Sequence, residues 1–332
     1  MKNKMALIQL VLVLTISMVN IRCSETVSPP SSADRAIDPI VSTGWLEDNL
    51  DKLDLVLLDV RGEALYNAGH IPGSINLPAH DNLFVCFFEP DCGLTMELPA
   101  DDILINTIGN AGITANSNVV VIGRAADLPE SGAAEFGVTM ASRAAITLLY
   151  AGIDNVAFLD GGYDKWVAEG RASSTEAANP DAVEYNGAID TEMFVSKDYV
   201  AERIGKSILV DTRDADVYFG IGQDPTSQKA GHIPGSKVLP APWFWTTTVD
   251  DAGEKSFLMW KSSSKINEIG LAVLGENGDR EIIIYCGVGG YASPVFFVLT
   301  EVIGYRNVKF YDGSMQEWTA DPEAPVTKYR YQ

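Results

Sequence analysis

A chain of 332 residues is long enough for about two ordinary domains. Its composition, 46% hydrophobic and 21% charged, is that of a folded globular protein and not of a disordered one. A formal net charge of -21 argues against nucleic acid and anionic membrane surfaces as partners, and it obliges any anionic substrate to find a locally favourable site.

Residues 1–23 read as a targeting segment. Lys2 and Lys4 precede the apolar run ALIQLVLVLTISMV, residues 6–19. A comfortable bilayer span takes about 20 apolar residues, so a signal peptide fits this run better than a transmembrane anchor. No A-x-A cleavage site follows directly. Cys23 stands where a lipid-attachment cysteine would stand, but Asn20-Ile21-Arg22 carries an arginine in place of a small residue. The expectation is export, to a periplasmic or extracellular location, with a lipid anchor at Cys23 as the lesser alternative. Residues 24–36 are polar, Pro/Ser-rich and linker-like.

From residue 37 the chain is written twice. LVLLDVR (55–61) returns as SILVDTR (207–213), and GHIPGS occurs at 69–74 and again at 231–236. AGIDNVAFLDGGYDKW (151–166) returns as IGYRNVKFYDGSMQEW (303–318). Residues 37–172 and 189–332 are therefore two copies of one domain, joined by a linker over 173–188. In an exported protein, Cys86 and Cys92 (CFFEPDC) invite a disulfide; two unpaired thiols in an insertion are the alternative. In the second copy the short β-branched runs 208–210, 238–239, 282–285 and 308–311 suit buried parallel strands. SPVFFVLTEVIG reads as a helix, with Ser293 as N-cap, Pro294 at its first position and Gly304 ending it. Strands alternating with helices predict an α/β fold, a parallel sheet covered by helices on both faces in each copy.

Cys286 sits where one of these strands ends, in YCGVGGYASP (285–294). Ligands of such sheets bind at the carboxyl ends of strands. Gly287, Gly289 and Gly290 let the backbone curl so that N–H groups point inward, and the following helix adds the positive end of its dipole. The arrangement is expected to favour thiolate over thiol, lowering the pKa of Cys286, and to cradle a persulfide on the same sulfur. No metal or other cofactor is called for, because no second cysteine or histidine stands at ligand spacing.

These motifs resemble the tandem rhodanese-type sulfurtransferases, which include the thiosulfate and 3-mercaptopyruvate sulfurtransferases. The marks are the two GHIPGS hexapeptides, the DVR and DTR strand ends, CGVGGYA and the closing YDGSMQEW, and the resemblance covers nearly all of residues 37–330. It implies two tandem rhodanese-like domains and a ping-pong reaction. The Cys286 thiolate takes sulfur from a small donor and passes it from the persulfide to cyanide or a thiol, with Gly287, Val288, Gly289, Gly290 and Tyr291 forming the anion-binding loop. It also implies that a first-domain loop leans over the second domain's site, which would bring Thr139 and Met140 to the pocket.

The first copy lacks the nucleophile. Its strand VVVI (119–122) ends in Gly123 where the second has Cys286, and Arg124 follows, so this copy reads as non-catalytic. The chain departs from the family elsewhere too. Tyr291 replaces the usual threonine or arginine. Gly287 and Val288 stand where thiosulfate-preferring members carry basic residues. Val217 and the QDPTSQK stretch lack the arginines of the mercaptopyruvate type, leaving Lys229 as the nearest cation. The donor is thus thiosulfate or 3-mercaptopyruvate, unassigned between the two. His70, His232, Arg61 and Arg213 recur in both copies, which assigns them to structure. Trp243 and Trp245 either line the pocket or pack the core. A cysteine phosphatase would need an arginine six residues after the cysteine, where Ala292 stands. The remaining rival is a binding or scaffold protein that keeps the fold without catalysis.

Overall fold

The computed structural model describes residues 35–52, 54–86, 89, 91–125, 133–249, 253, 256–276 and 280–330. The expected targeting segment, including Cys23, lies outside them. Among the described residues no helix is long and apolar enough to cross a membrane.

The first copy contributes strands β1 (Ile40–Val41), β2 (Leu55–Asp59), β3 (Ile75–Asn76), β4 (Asn118–Ile122) and β5 (Val156–Leu159). The second contributes β6 (Phe194–Val195), β7 (Ile208–Asp211), β8 (Lys237–Val238), β9 (Trp245–Val249), β10 (Ser256–Trp260), β11 (Ile282–Tyr285) and β12 (Val308–Tyr311). The two five-stranded sheets run β1-β5-β4-β2-β3 and β6-β12-β11-β7-β8, which is the same order once the copies are aligned. All their pairings are parallel. Four of the six interior strands, β4, β5, β7 and β11, are buried at every position, which is why they read as largely apolar runs instead of alternating ones. In the second copy β9 and β10 form an additional antiparallel hairpin.

The repeated hexapeptides make the same turn twice. Ser74 N–H donates to Ile71 O and Ser236 N–H to Ile233 O, with Gly73 and Gly235 both at φ +80°. Proline followed by a left-handed glycine is the type II turn signature. The histidines stack on tyrosines, Tyr66–His70 and Tyr218–His232, each at 3.7 Å. His70 Nδ1 bonds Tyr66 O and His232 Nδ1 bonds Tyr218 O. Arg61 grips Asp59 and Gly69 O, as Arg213 grips Asp211 and Gly231 O. All four residues are the structural elements that their recurrence suggested. The bridge His70–Ser174 mirrors His232–Thr327, so the first unit continues through Ser174, into the segment read as linker.

One apolar core passes through both copies, joining Leu58, Val121 and Phe158 to Val210, Ile284 and Phe310. The long helix Ala133–Tyr150 of the first copy packs on the helix Ala292–Phe297 of the second. Ala141, Ala144 and Ala145 in the long helix are buried, and their small side chains allow a close approach. Each copy also extends an arm to the other. From the second, Leu258 N–H donates to Ala125 O and Trp260 N–H to Asp160 Oδ1. From the first, Thr95 N–H donates to Gln316 Oε1 and Leu98 N–H to Asp312 Oδ2.

Candidate active site

Cys286 follows β11 directly and is 2% exposed. Its backbone is fixed from both sides: Cys286 N–H donates to Ser314 Oγ, Met315 N–H to Cys286 O and Gln316 N–H to Gly287 O. The tract Asp312-Gly313-Ser314-Met315-Gln316, part of the second repeated closing motif, is thus the cradle of the cysteine loop. Ser314 sits at φ +48°, an uncommon conformation for a residue with a side chain, and its hydroxyl donates to Tyr311 O.

The loop turns N–H groups onto the sulfur as its sequence implied. Gly289 N–H reaches Cys286 Sγ at 3.1 Å, and the N–H groups of Val288 and Ala292 also favour its anion. Of the three glycines only Gly289 is left-handed, at φ +86°. Gly287 is needed for space instead, since a Cβ there would collide with Asp224 Oδ2. The helix begins at Ala292, not Ser293. Ser293 lies in its first turn and donates its hydroxyl to Gly289 O, so it ties the loop instead of capping the helix. The helix runs on as a π-helical segment, Val298–Ile303, and closes at left-handed Gly304.

The expected lowering of the cysteine pKa is not what this site produces. Burial pushes the Cys286 thiol up, and the N–H groups of Ala292, Val288 and Gly289 offset this only in part, while the Asp224 carboxylate adds to the rise. The loop's donors are contiguous in sequence, whereas the enclosure of the sulfur and the acid facing it, Asp224, 62 positions upstream, arise only from the fold. Asp224 Oδ1 accepts from Thr226 N and Oγ1, which holds the carboxylate in place beside Gly287. Lys229 is not a counter-ion to this site, because its ammonium donates to Asp321 O, Pro322 O and Ala324 O.

The aromatic residues divide. Trp245 is 5% exposed and edge-on to Tyr291, with ring centroids 6.4 Å apart, so it does stand at the loop. Trp243 is 44% exposed at the surface. The first copy's contribution also differs from expectation. Met140 lines a separate cavity within the first copy, and Thr139 is buried with its hydroxyl on Phe136 O. The residues that reach the cysteine loop are Met96 and Arg143. Met96 Sδ lies 3.7 Å from where a Gly290 Cβ would be, and Arg143 Nη1 is 3.2 Å from the corresponding position at Gly289. Arg143 is one helical turn beyond Met140 on the helix Ala133–Tyr150.

The segment that delivers Met96 is closed by a Cys86–Cys92 disulfide. Two groups of three potential ligand atoms lie within 4.8 Å of one another among the described residues. One is Cys86, Glu89 and Cys92, whose sulfurs are bonded to each other; the other is His80, Asp81 and Glu89 at the surface.

With this geometry in hand, likeness to other proteins is informative. The sequence profile of the Rhodanese-like domain matches residues 42–169 and again 196–321. The chain belongs to this family, as a tandem of two such domains. A Haloferax volcanii protein provisionally named a thiosulfate sulfurtransferase is 30% identical over 312 residues, 90% of this chain and 99% of its own. The sulfur carrier protein TtuD of Thermus thermophilus is 28% identical, over 87% of this chain and 96% of its own. Among solved structures, SseA of Escherichia coli, a 3-mercaptopyruvate enzyme, superposes with a TM-score of 0.66 at 22% identity, covering 84% of this chain and 99% of SseA. Wild-type EanB gives 0.68 at 24%, covering 87% of this chain and 69% of EanB. At these identities the structures speak for the fold.

Proposed function

We propose that the protein is a sulfurtransferase that moves a sulfane sulfur through a persulfide on Cys286. The observation that carries the reading is the convergence of the Gly289, Val288 and Ala292 N–H groups on one buried sulfur. Such donors stabilise an anion wherever it resides on the cysteine, as thiolate or as the outer sulfur of a persulfide. In the first half-reaction the thiolate attacks the terminal sulfur of thiosulfate or the thiol sulfur of 3-mercaptopyruvate. A sulfur–sulfur bond forms at Cys286 and the donor's own bond to that sulfur breaks, its electron pair leaving with sulfite from thiosulfate or, from 3-mercaptopyruvate, with the enolate of pyruvate, which then takes up a proton. In the second, cyanide or a thiol attacks the outer sulfur, and the electron pair returns to Cys286. Splitting the transfer in two is the advantage of a nucleophilic cysteine.

The names of the relatives bring thiosulfate and 3-mercaptopyruvate forward as donors. Export rests on residues 2–19 alone. A second reading, a binding protein that keeps the fold, is favoured by one observation: the sulfur is enclosed, with its thiol form stabilised by burial and Asp224. Thiocyanate formation from cyanide with each donor separates the two. The sulfurtransferase reading expects turnover with at least one donor and none in Cys286→Ser; equal rates in the variant and the parent would remove it.

A further inference from the structure

The first copy keeps the architecture of the reaction centre without its nucleophile. Gly123 occupies the place of Cys286, and Tyr163 N–H donates to Gly123 O as Met315 N–H does to Cys286 O. At the carboxyl ends of β2 and β4, where the second copy buries its sulfur, the first copy has a cavity of about 300 Å³. Its wall is carbon: Leu65, Pro78, Ala79, Phe84, Phe136 and Met140. Leu65 and Phe136 are 40% and 45% exposed, so two large apolar side chains face water at this site.

The charged groups around it already have partners. Arg61 is held by Asp59, Arg124 lies 4.0 Å from Asp164, and His80 meets Glu89. Among the described residues each cation at the cavity already faces an acid, and its wall is almost wholly apolar, so the site points to an uncharged ligand. Open cavities lined by aliphatic and aromatic carbon take small apolar molecules of ring size.

The helix beneath the cavity leads to the cysteine. Met140 lines the cavity, and Arg143, one turn on, bonds Asp312 through both terminal nitrogens against Gly289 of the cysteine loop. A ligand pressing on Met140 acts on the element that holds this loop in register.

We propose that the vacant centre of the first copy is an effector site: it binds an uncharged, apolar, ring-sized small molecule, and occupancy is felt at Cys286 through the helix Ala133–Tyr150. The test uses the neutral fluorophore N-phenyl-1-naphthylamine on the full chain, beside the anionic 1-anilinonaphthalene-8-sulfonate. The neutral probe is expected to bind at one site per chain and more tightly than the anion. Leu65→Trp, which fills the cavity from its exposed rim, and Phe136→Glu, which charges it, are each expected to weaken binding about tenfold or more. Saturating probe is expected to change the rate of iodoacetamide labelling of Cys286, followed on its own peptide by mass, about twofold or more in the parent and not in Leu65→Trp. Binding that neither variant weakens, or a labelling rate that ignores the probe, overturns the proposal. Neither readout involves turnover, so failure here is distinct from failure of the sulfurtransferase reading.

Discussion

Arg143 of the first copy forms a two-point ion pair with Asp312 of the second, at 2.5 and 2.9 Å, directly against Gly289 of the cysteine loop. The arginine side chain is wholly buried and the aspartate nearly so. Asp312 also accepts Leu98 N–H, which makes it the point where the first copy's arm, the long helix and the loop meet. Removing one partner of a buried pair leaves the other charge uncompensated. Asp312→Asn is therefore expected to cost about 3 kcal/mol of stability, read from denaturant unfolding. A loss below about 1 kcal/mol would place this pair with the weak surface bridges instead.

Burial pushes the Cys286 thiol up, and Asp224 raises it further. Its negative charge beside Gly287 disfavours a second negative charge on the sulfur, so Asp224→Asn lowers the cysteine pKa and raises the thiolate fraction at neutral pH. Iodoacetamide labelling of Cys286 is expected to accelerate several-fold near pH 7 in the variant. Labelling of the parent is expected to keep rising above the ordinary thiol pKa of about 8.5. An unchanged profile would show that the carboxylate does not act on the sulfur.

Glu97 gives the interface a pH dependence of definite sign. Burial first, and the neighbouring Asp312 second, push its carboxyl up to about 8, against the pull of Arg143. The folded protein thus holds a proton that the unfolded chain releases near its ordinary value of 4.5. This contribution to stability is complete below that value and is lost as pH rises through about 8. Melting temperature is expected to fall between about pH 4.5 and pH 8, and to fall less in Glu97→Gln, which keeps the neutral form. Parallel curves for the two proteins would contradict the assignment.

The Cys86–Cys92 bond closes a short loop in the arm that carries Met96, and Met96 N–H donates back to Cys86 O. Loop-closure entropy for so short a loop is about 2 kcal/mol. Cys86→Ser with Cys92→Ser is expected to lose about that much, with a matching loss on reduction of the parent and no effect of reductant on the double variant. Equal stability of the oxidised parent and the double variant would show that the arm is held by its hydrogen bonds alone.

Duplication and the strand ends were legible because they depend on local pattern. The β-branched runs give buried strands, Pro72-Gly73 and Pro234-Gly235 give the turns, and Asp59 with Arg61 pairs two residues apart. The cysteine loop was legible for the same reason: strand, glycines and helix are contiguous. What escaped is long-range. Asp224 reaches Gly287, and Met96 and Arg143 reach the loop from the other copy, through a fold whose domain interface no short stretch of sequence encodes. Met140 lies one turn of the helix Ala133–Tyr150 before Arg143, the residue of that helix that comes up against Gly289. One signal was available for Asp312. It belongs to the repeated closing motif, with Asp160 as its first-copy counterpart, and a residue kept in a copy without the cysteine points to a structural role; Ser314 stands where the first copy has Gly162.

The central claim is that Cys286 carries the sulfur in transit. Its most direct test is the intact mass of the protein after incubation with thiosulfate and, separately, with 3-mercaptopyruvate, beside Cys286→Ser. The account predicts a gain of one sulfur atom with at least one donor, its removal by cyanide, and no gain in the variant. An unchanged mass with both donors, or a gain that persists in Cys286→Ser, would contradict it.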